Sequence, residues 1–211
     1  MSEFWETYFQ ENKTTWGFEP CDSALLAANL FKEKNYRTVF IPGIGYGRNA
    51  KPFLDLSMVV AGVEISQTAV SVLNEHYPMV KAYCMSILDM PFEKSVYDGI
   101  FSYALIHLFN YWERRKVIRN CYDQIADGGT MIFSVVSDKS ETAKAGKQIG
   151  KNRRLMPNGL KLFTYNDEFI RKEFEDLGLI EIIDINEPIK FMKNEPPMKF
   201  KMIICEKKKT Q

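Results

Sequence analysis

Short, nearly continuous apolar runs alternate along the chain with longer segments whose apolar residues recur at helical spacing. The runs are predicted strands at residues 38–42 (TVFIP), 58–64, 80–84, 97–103 and 130–136, and predicted helices lie between them at 48–56, 67–76 and 111–125. Pro52 falls awkwardly early in the first helix, and Ser66 suits the cap position of the second. Strands that are apolar throughout and alternate with helices indicate a parallel sheet covered on both faces.

Ahead of this alternating core, a helix is predicted to start at Pro20 and Asp22 and to run through Phe31. The segment before the helix is unusually rich in aromatic residues, which are Trp5, Tyr8, Phe9 and Trp16.

The rhythm changes after Ser137. Residues 139–161 are polar and carry seven basic side chains against one acid, Glu141. A helix is predicted over 166–177 and ends at Gly178, because glycine adopts the left-handed conformation that follows many helices. Two final strands, at 179–185 and 198–205, are joined by a proline-containing loop.

Composition gives no sign of a highly charged partner. The 211 residues include 28 basic and 27 acidic side chains, for a net charge of +1, so no overall preference for nucleic acid or anionic membrane is expected. Four dispersed cysteines and two histidines form no zinc-binding pattern, and no metal is expected. The first ten residues do not resemble a signal peptide, and no apolar stretch is long enough to span a membrane. We expect a soluble, cytoplasmic protein, and the sequence leaves monomer and homodimer open.

The strongest candidate for chemistry is the glycine-rich turn at residues 42–49 (PGIGYGRN), between the first strand and its helix. Glycine permits a sharp turn and lets a ligand approach the backbone closely, and a following helix N-terminus offers free N–H groups. Glu64 stands at the end of the second strand, about 20 residues further on, where a carboxylate accepts hydrogen bonds from ribose hydroxyls. Together these features predict a site for an adenosine-containing cofactor.

The glycine spacing distinguishes between cofactors. A dinucleotide site has the pattern GxGxxG, whereas here Arg48 replaces the third glycine of that pattern and the spacing is GxGxG. This turn resembles the first motif of class I S-adenosylmethionine-dependent methyltransferases. The resemblance continues in order through GVEIS (62–66), MSILDMPF (85–92), YDGIFSYALIHL (97–108) and ADGG (126–129).

The aromatic N-terminal pattern, the turn and the segment GLKLFTYNDEFIRKEFEDLGLIEI (159–182) are most similar to the thiopurine and tellurite-resistance methyltransferase group. That resemblance implies methyl transfer from S-adenosylmethionine, with S-adenosylhomocysteine as product, to a small acceptor such as a thiol or a chalcogen oxyanion. It implies a Rossmann-like, doubly wound α/β fold with seven strands, mostly parallel with an antiparallel last strand. One domain over 1–211 is expected, with a helical cover (1–35), a cofactor-binding core (36–137), a basic loop or lid (138–165) and a C-terminal helix and strand pair (166–211).

The residues that the resemblance places at the cofactor are Trp16, Gly43, Gly45, Glu64, Ile65, Ser86, Ile87 and Tyr103. Trp16 is equally explained as a core residue that anchors the N-terminal segment.

Three departures from the class I pattern bear on the site. Ile41 stands where most members carry an acid, so the methionyl amino group needs other acceptors, such as backbone carbonyls near Gly43 and Tyr103. Ser86 replaces the usual aspartate of the adenine loop, and its hydroxyl is the expected substitute. No [ND]PP[YFW] motif follows the fourth strand, which disfavours methylation of nucleic-acid bases by that motif.

Candidates for the acceptor side come from the residues after the fourth strand and from the glycine-rich turn. His107 is a candidate general base for a hydroxyl acceptor, or else a histidine hydrogen-bonded in the turn after the strand. Tyr46, Tyr103 and Trp112 are candidates for an aromatic wall, and each is also explained by packing.

Positive charge near the site also has two interpretations. Arg48 and the basic residues of 139–161 are candidates to attract an anionic acceptor, although a solvated loop explains the latter equally well. The competing functions are an NAD(P)-dependent oxidoreductase, an RNA-directed methyltransferase and a cofactor-binding protein without catalysis.

Overall fold

The computed structural model describes residues 2–90, 96–188 and 196–209. Its strands are β1 (Thr38–Pro42), β2 (Val59–Glu64), β3 (Lys81–Cys84), β4 (Tyr97–Tyr103), β5 (Ile125–Val136), β6 (Lys147–Gly150), β7 (Arg153–Leu155), β8 (Lys161–Phe163), β9 (Leu179–Glu187) and β10 (Met198–Glu206). Its helices are α1 (Ser2–Asn12), α2 (Asp22–Glu33), α3 (Lys51–Asp55), α4 (Gln67–His76), α5 (Tyr111–Asp123), α6 (Glu141–Lys144) and α7 (Asp167–Phe174).

Seven strands form the main sheet, in the order β3-β2-β1-β4-β5-β10-β9. Strands β1 to β5 run parallel to one another, and β10 runs antiparallel to both β5 and β9. The predicted fold class, with its antiparallel last strand, is confirmed. The strand order reverses between β1 and β4, and a crevice forms outside the carboxyl ends of strands at such a point.

Apolar helix faces cover both sides of this sheet. On one side α2 and α3 contribute Phe31 and Phe53, and on the other α5 and α7 contribute Ile118 and Phe174, all fully buried. The central strands β1, β4 and β5 are thereby covered on both faces, as their apolar runs predicted, whereas the edge strands β3 and β9 keep exposed residues.

Capping residues and glycines determine where several helices begin or end. The Ser66 side chain accepts a hydrogen bond from the Ala69 N–H at 3.1 Å and caps α4 as predicted. Gly178 has φ +76°, and a Cβ there would lie 2.0 Å from the Glu206 carbonyl oxygen, so only glycine fits. Within the described ranges, no helix has both the length and the apolarity needed to cross a membrane.

Several boundaries differ from the sequence prediction, including the start of β5, which is at Ile125 and not at residue 130. Helix α3 begins at Lys51, because residues 43–50 form consecutive turns; Pro52 then falls in the first helical turn, where proline is tolerated. Helix α5 ends at Asp123, because Ile125 already pairs with Tyr97 in the sheet. Strand β9 continues past residue 185 to Glu187.

The prediction that the basic segment, residues 138–165, is a loop is wrong. It contains α6 and a separate antiparallel sheet in the order β6-β7-β8. Leu162 and Phe163 of β8 are buried, and they anchor this small sheet to the body of the protein. The many basic residues of the segment indicated a solvated loop, so the burial of Leu162 and Phe163 was not predicted.

Candidate functional site

A cavity of about 420 Å³ opens at the carboxyl ends of β1 to β4, where the strand order reverses. Different segments of the chain line its two ends. One end, the cofactor end, is formed by the turn after β1, the end of β2 and the segment after β3. The other, the acceptor end, is formed by residues after β4 together with the facing ends of β9 and β10. Helix α1 contributes Trp5 and Phe9 to the lining.

The glycine turn is held by β2. The Gly43 and Ile44 N–H groups both donate to the Val63 carbonyl, at 2.9 and 3.1 Å. Gly43 and Gly45 have φ values of +68° and +57°, a conformation that glycine adopts without strain. These N–H groups are therefore used within the protein, and α3 starts too far along the chain to present a helix end to a phosphate. The turn offers close backbone approach rather than an anion cradle.

Glu64 connects the turn to the start of α4. Its carboxylate accepts hydrogen bonds from the Gly45 N–H at 3.1 Å, the Ile65 N–H at 2.8 Å and the Ser66 N–H at 3.0 Å. Burial raises the pKa of the Glu64 carboxyl, although these three donors act in the opposite direction. One carboxylate oxygen, Oε2, accepts only the Gly45 bond among these, so it keeps capacity for a further donor such as a ribose hydroxyl.

The segment after β3 forms the wall beyond Glu64. Ile87 is buried there, and the Ser86 hydroxyl accepts from the Leu88 N–H at 3.2 Å, which caps a short turn over Ile87–Asp89. Both residues line the cavity, and recognition of an adenine amino group by Ser86 stays a prediction. The last two residues of the motif MSILDMPF, 91 and 92, lie outside the described residues.

An aromatic cluster covers the cofactor end. The Trp16 ring lies parallel to Tyr8 at 5.1 Å and to Tyr46 at 6.3 Å, and the Tyr46 hydroxyl donates to the Gly17 carbonyl at 2.8 Å. Trp16 thus anchors the N-terminal segment and also lines the cavity, so the two interpretations of this residue are compatible.

Helix α1 is fixed to α4 by Glu6. Its carboxylate accepts from the Ser66 hydroxyl at 2.7 Å, the Thr68 hydroxyl at 2.5 Å and the Thr68 N–H at 3.2 Å. The hydrogen bonds from Thr68 and Ser66 lower the pKa of Glu6 to about 2. This contact holds Trp5 and Phe9 over the cavity.

Tyr103 separates the two ends of the cavity. Its ring is stacked on Phe200, with centroids 5.2 Å apart and planes within 3°, and the Arg48 guanidinium lies 5.7 Å from the ring centre. Burial raises the pKa of Tyr103 well above its usual value.

A carboxylate that sequence reasoning missed lies at the acceptor end. Glu187 lines the cavity at the end of β9 and is only 2% exposed. Its carboxylate accepts from the Asp22 and Ser23 N–H groups, both at 2.9 Å, and from the Ser23 hydroxyl. Ile41, where an acid was expected, is buried in the core beneath α2. No local signal marked Glu187, because its partners lie about 165 residues away in the chain.

Two predicted acceptor-side residues are not brought to the cavity. His107 is buried outside the cavity lining, with Nδ1 3.4 Å from the Val136 N–H, and burial lowers its pKa to about 3. Trp112 is 77% exposed on the outer surface of α5 and stacks edge-on with Tyr111. The structure gives no support for a base at His107 or an aromatic wall at Trp112. The other predicted residues all line the cavity: Trp16, Gly43, Gly45, Tyr46, Arg48, Glu64, Ile65, Ser86, Ile87 and Tyr103.

The arginines of the basic segment have structural partners. Arg153 donates to the Phe109 carbonyl at 3.1 Å, and Arg154 donates to the Lys144 and Gly146 carbonyls at 3.1 and 2.9 Å. These bonds attach β7 to the turn after β4 and to the neighbouring loop. Arg153 and Arg154 therefore hold the segment together and do not line the cavity.

Known proteins share this architecture. Residues 41–133 match a family model described as a methyltransferase domain. A structure from echinomycin biosynthesis, where a disulfide bond becomes a thioacetal group, superposes with a TM-score of 0.74 at 16% identity, covering 100% of this chain and 94% of that one. A second structure is the Burkholderia thailandensis 1,6-didemethyltoxoflavin-N1-methyltransferase with bound 1,6-didemethyltoxoflavin and S-adenosylhomocysteine. It superposes with a TM-score of 0.73 at 11% identity, covering 98% of this chain and 87% of that one.

A curated relative from Drosophila melanogaster is a tRNA N(3)-methylcytidine methyltransferase, Mettl2. It is 24% identical over an alignment of 160 positions that covers 69% of this chain and 49% of that protein. The chain thus spans about half the length of this relative. The specific likeness to the thiopurine and tellurite-resistance group stays a prediction.

Proposed function

We propose that this chain, whose residues 41–133 match a methyltransferase domain model, is an S-adenosylmethionine-dependent methyltransferase that acts on a small-molecule acceptor. When bound, S-adenosylmethionine supplies an activated methyl group, and the bonding electron pair leaves with the sulfur. The observation that carries the proposal is a cavity in which the cofactor end and the acceptor end lie together beneath α1.

The residues at the cofactor end suit this donor. Gly43 and Gly45 allow close approach, Glu64 Oε2 can accept from a ribose hydroxyl, and Ile87 offers an apolar surface to the adenine ring. The N–H groups of the turn are used internally, which suits a cofactor without a pyrophosphate and argues against the dinucleotide-dependent oxidoreductase.

Orientation is the main catalytic contribution expected of the protein. Holding the acceptor atom in line with the methyl carbon contributes about 7–11 kcal/mol in well-aligned systems. Tyr103, Phe200 and Arg48 line the cavity, which supports a role for them in positioning the acceptor, whereas the buried, neutral His107 lies outside the lining. An acceptor atom that is nucleophilic without a base fits this arrangement.

RNA is the second candidate acceptor, and the Drosophila relative favours it. Against it stand the absent base-methylation motif after β4 and the commitment of Arg153 and Arg154 to backbone carbonyls. The charge balance of the chain also lacks the excess of basic residues typical of RNA-binding domains.

The test uses methyl-labelled S-adenosylmethionine with two substrate pools, a metabolite fraction cleared by ultrafiltration and total RNA. We expect label in the metabolite fraction and none in RNA. Glu64→Ala should abolish transfer, and Glu75→Ala on the exposed face of α4 is the matched control that should retain it. Labelled RNA with an unlabelled metabolite fraction would refute the small-molecule proposal.

A further inference from the structure

We infer that the acceptor is a planar ring that is uncharged or cationic, and that Glu187 selects for it; this rests on the proposed function. The inference comes from three features of the acceptor end: its aromatic and apolar walls, the commitment of its basic side chain, and the buried carboxylate. If it holds, oxyanions are not the methyl acceptors of this chain.

The walls of the acceptor end are flat and apolar. The parallel pair of Tyr103 and Phe200 forms one side. Leu105, Leu108, Phe109 and Met198 complete the surroundings. Aromatic faces favour offset stacking with another ring, and apolar walls penalise a small, strongly hydrated anion that must lose its water.

Positive charge at the acceptor end is already engaged. Arg48 is the single basic residue among the described residues that line the cavity. Its Nη1 donates to the Trp16 carbonyl at 3.2 Å, and its guanidinium lies over Tyr103. Arg114, behind this wall, is paired with Glu173 at 2.5 Å. An oxyanion would therefore have one guanidinium, already directed at Trp16 and Tyr103, to offset both its desolvation and the repulsion from Glu187.

Glu187 adds a fixed negative charge. The N-terminus of α2 orients its carboxylate through the Asp22 and Ser23 N–H groups. Oε2 accepts the Asp22 bond and keeps one acceptor position, since a carboxylate oxygen accepts two hydrogen bonds. A ring N–H, an amino group or an ammonium group would satisfy that position, whereas a carboxylate or selenite would be repelled.

The experiment measures calorimetric binding of a charge series to the full chain saturated with S-adenosylhomocysteine. Indole, tryptamine and indole-3-acetate share one ring system and differ in charge, and selenite represents oxyanions. We expect tryptamine to bind at least about tenfold more tightly than indole-3-acetate, with indole between them and selenite not binding. Tighter binding of indole-3-acetate or selenite, or no binding of any indole, would overturn the inference.

A variant isolates the carboxylate. Glu187→Gln should reduce the preference for tryptamine over indole-3-acetate to about threefold or less, while S-adenosylhomocysteine affinity is unchanged. Glu181→Gln, on the exposed part of the same strand, should leave the preference intact. An undiminished preference in Glu187→Gln would show that another group sets it. Loss of S-adenosylhomocysteine binding in the wild-type chain would instead contradict the proposed function.

Discussion

Glu64 organises the cofactor end through a single buried charge. Its pKa is raised by burial, so it takes up a proton at a higher pH than the ordinary value of 4.5. The ionised carboxylate is the stronger acceptor for a ribose hydroxyl. We therefore expect affinity for S-adenosylhomocysteine to fall on acidification, beginning above pH 4.5, as measured by calorimetry. Glu64→Gln should bind more weakly with a flatter pH profile, and an identical profile would refute this role.

His107 is expected to affect the pH dependence of stability and not the rate of methyl transfer. Its folded pKa of about 3 lies below the ordinary 6.5, so the unfolded chain takes up a proton that the folded chain excludes. Below pH 6.5 this lowers the free energy of unfolding, and the loss reaches about 2 kcal/mol near pH 5.

Denaturant titrations of wild type and His107→Gln test this prediction. The variant should lose stability less steeply between about pH 6.5 and pH 5, because the titrating ring is gone. Its pH–rate profile for methyl transfer should match that of wild type. A profile that loses an inflection in the variant would restore His107 as a general base.

At the scale of elements, Glu6 makes the polar contacts that join the cover helix α1 to α4, alongside the aromatic packing of Phe9. Glu6→Ala removes all three hydrogen bonds to Ser66 and Thr68. We expect S-adenosylhomocysteine to dissociate about two- to fivefold faster, a modest effect because Glu6 lies at the surface. Stopped-flow measurement checks this, with Glu3→Ala on the exposed side of α1 as the control. Equal rates in the two variants would mean that Glu6 does not hold the cover in place.

Elements with strong local signals were predicted well from sequence. Strand β4 was predicted with its observed bounds. Ser66 marked the start of α4, and Gly178 marked the end of the turn that follows α7. The small sheet β6-β7-β8 could not be predicted, because its strands are three or four residues long and are held by Arg153 and Arg154. Such strands depend on tertiary contacts and not on periodicity.

For the whole molecule, cofactor binding should be visible as stabilisation. S-adenosylhomocysteine at about 100 times its dissociation constant should add about 2.7 kcal/mol, which raises the melting temperature by about 5–10 °C for a chain of this size. Glu64→Ala should lose most of this shift, and NADH should give none. A shift with NADH alone would favour the oxidoreductase.

The candidate site was predictable on one side only. Its cofactor end lies within a local stretch where Gly43, Glu64 and Ser86 each follow a strand, so their convergence follows from the sheet. At the acceptor end the converging residues belong to β4, β9 and β10, and Glu187 meets α2 only through the antiparallel strand pair. His107 was predicted to lie at the site and does not line the cavity. Its position after β4 does not determine the direction in which the ring points.

The contact between Glu187 and the start of α2 also has a consequence for the order of folding. It joins residues 165 positions apart, so it closes only when nearly the whole chain is available. Contacts of such sequence separation form late, because their loop-closure entropy is not offset until neighbouring elements are in place. During synthesis, then, we expect the parallel strands that carry the cofactor end to fold before the contact between Glu187 and α2 closes.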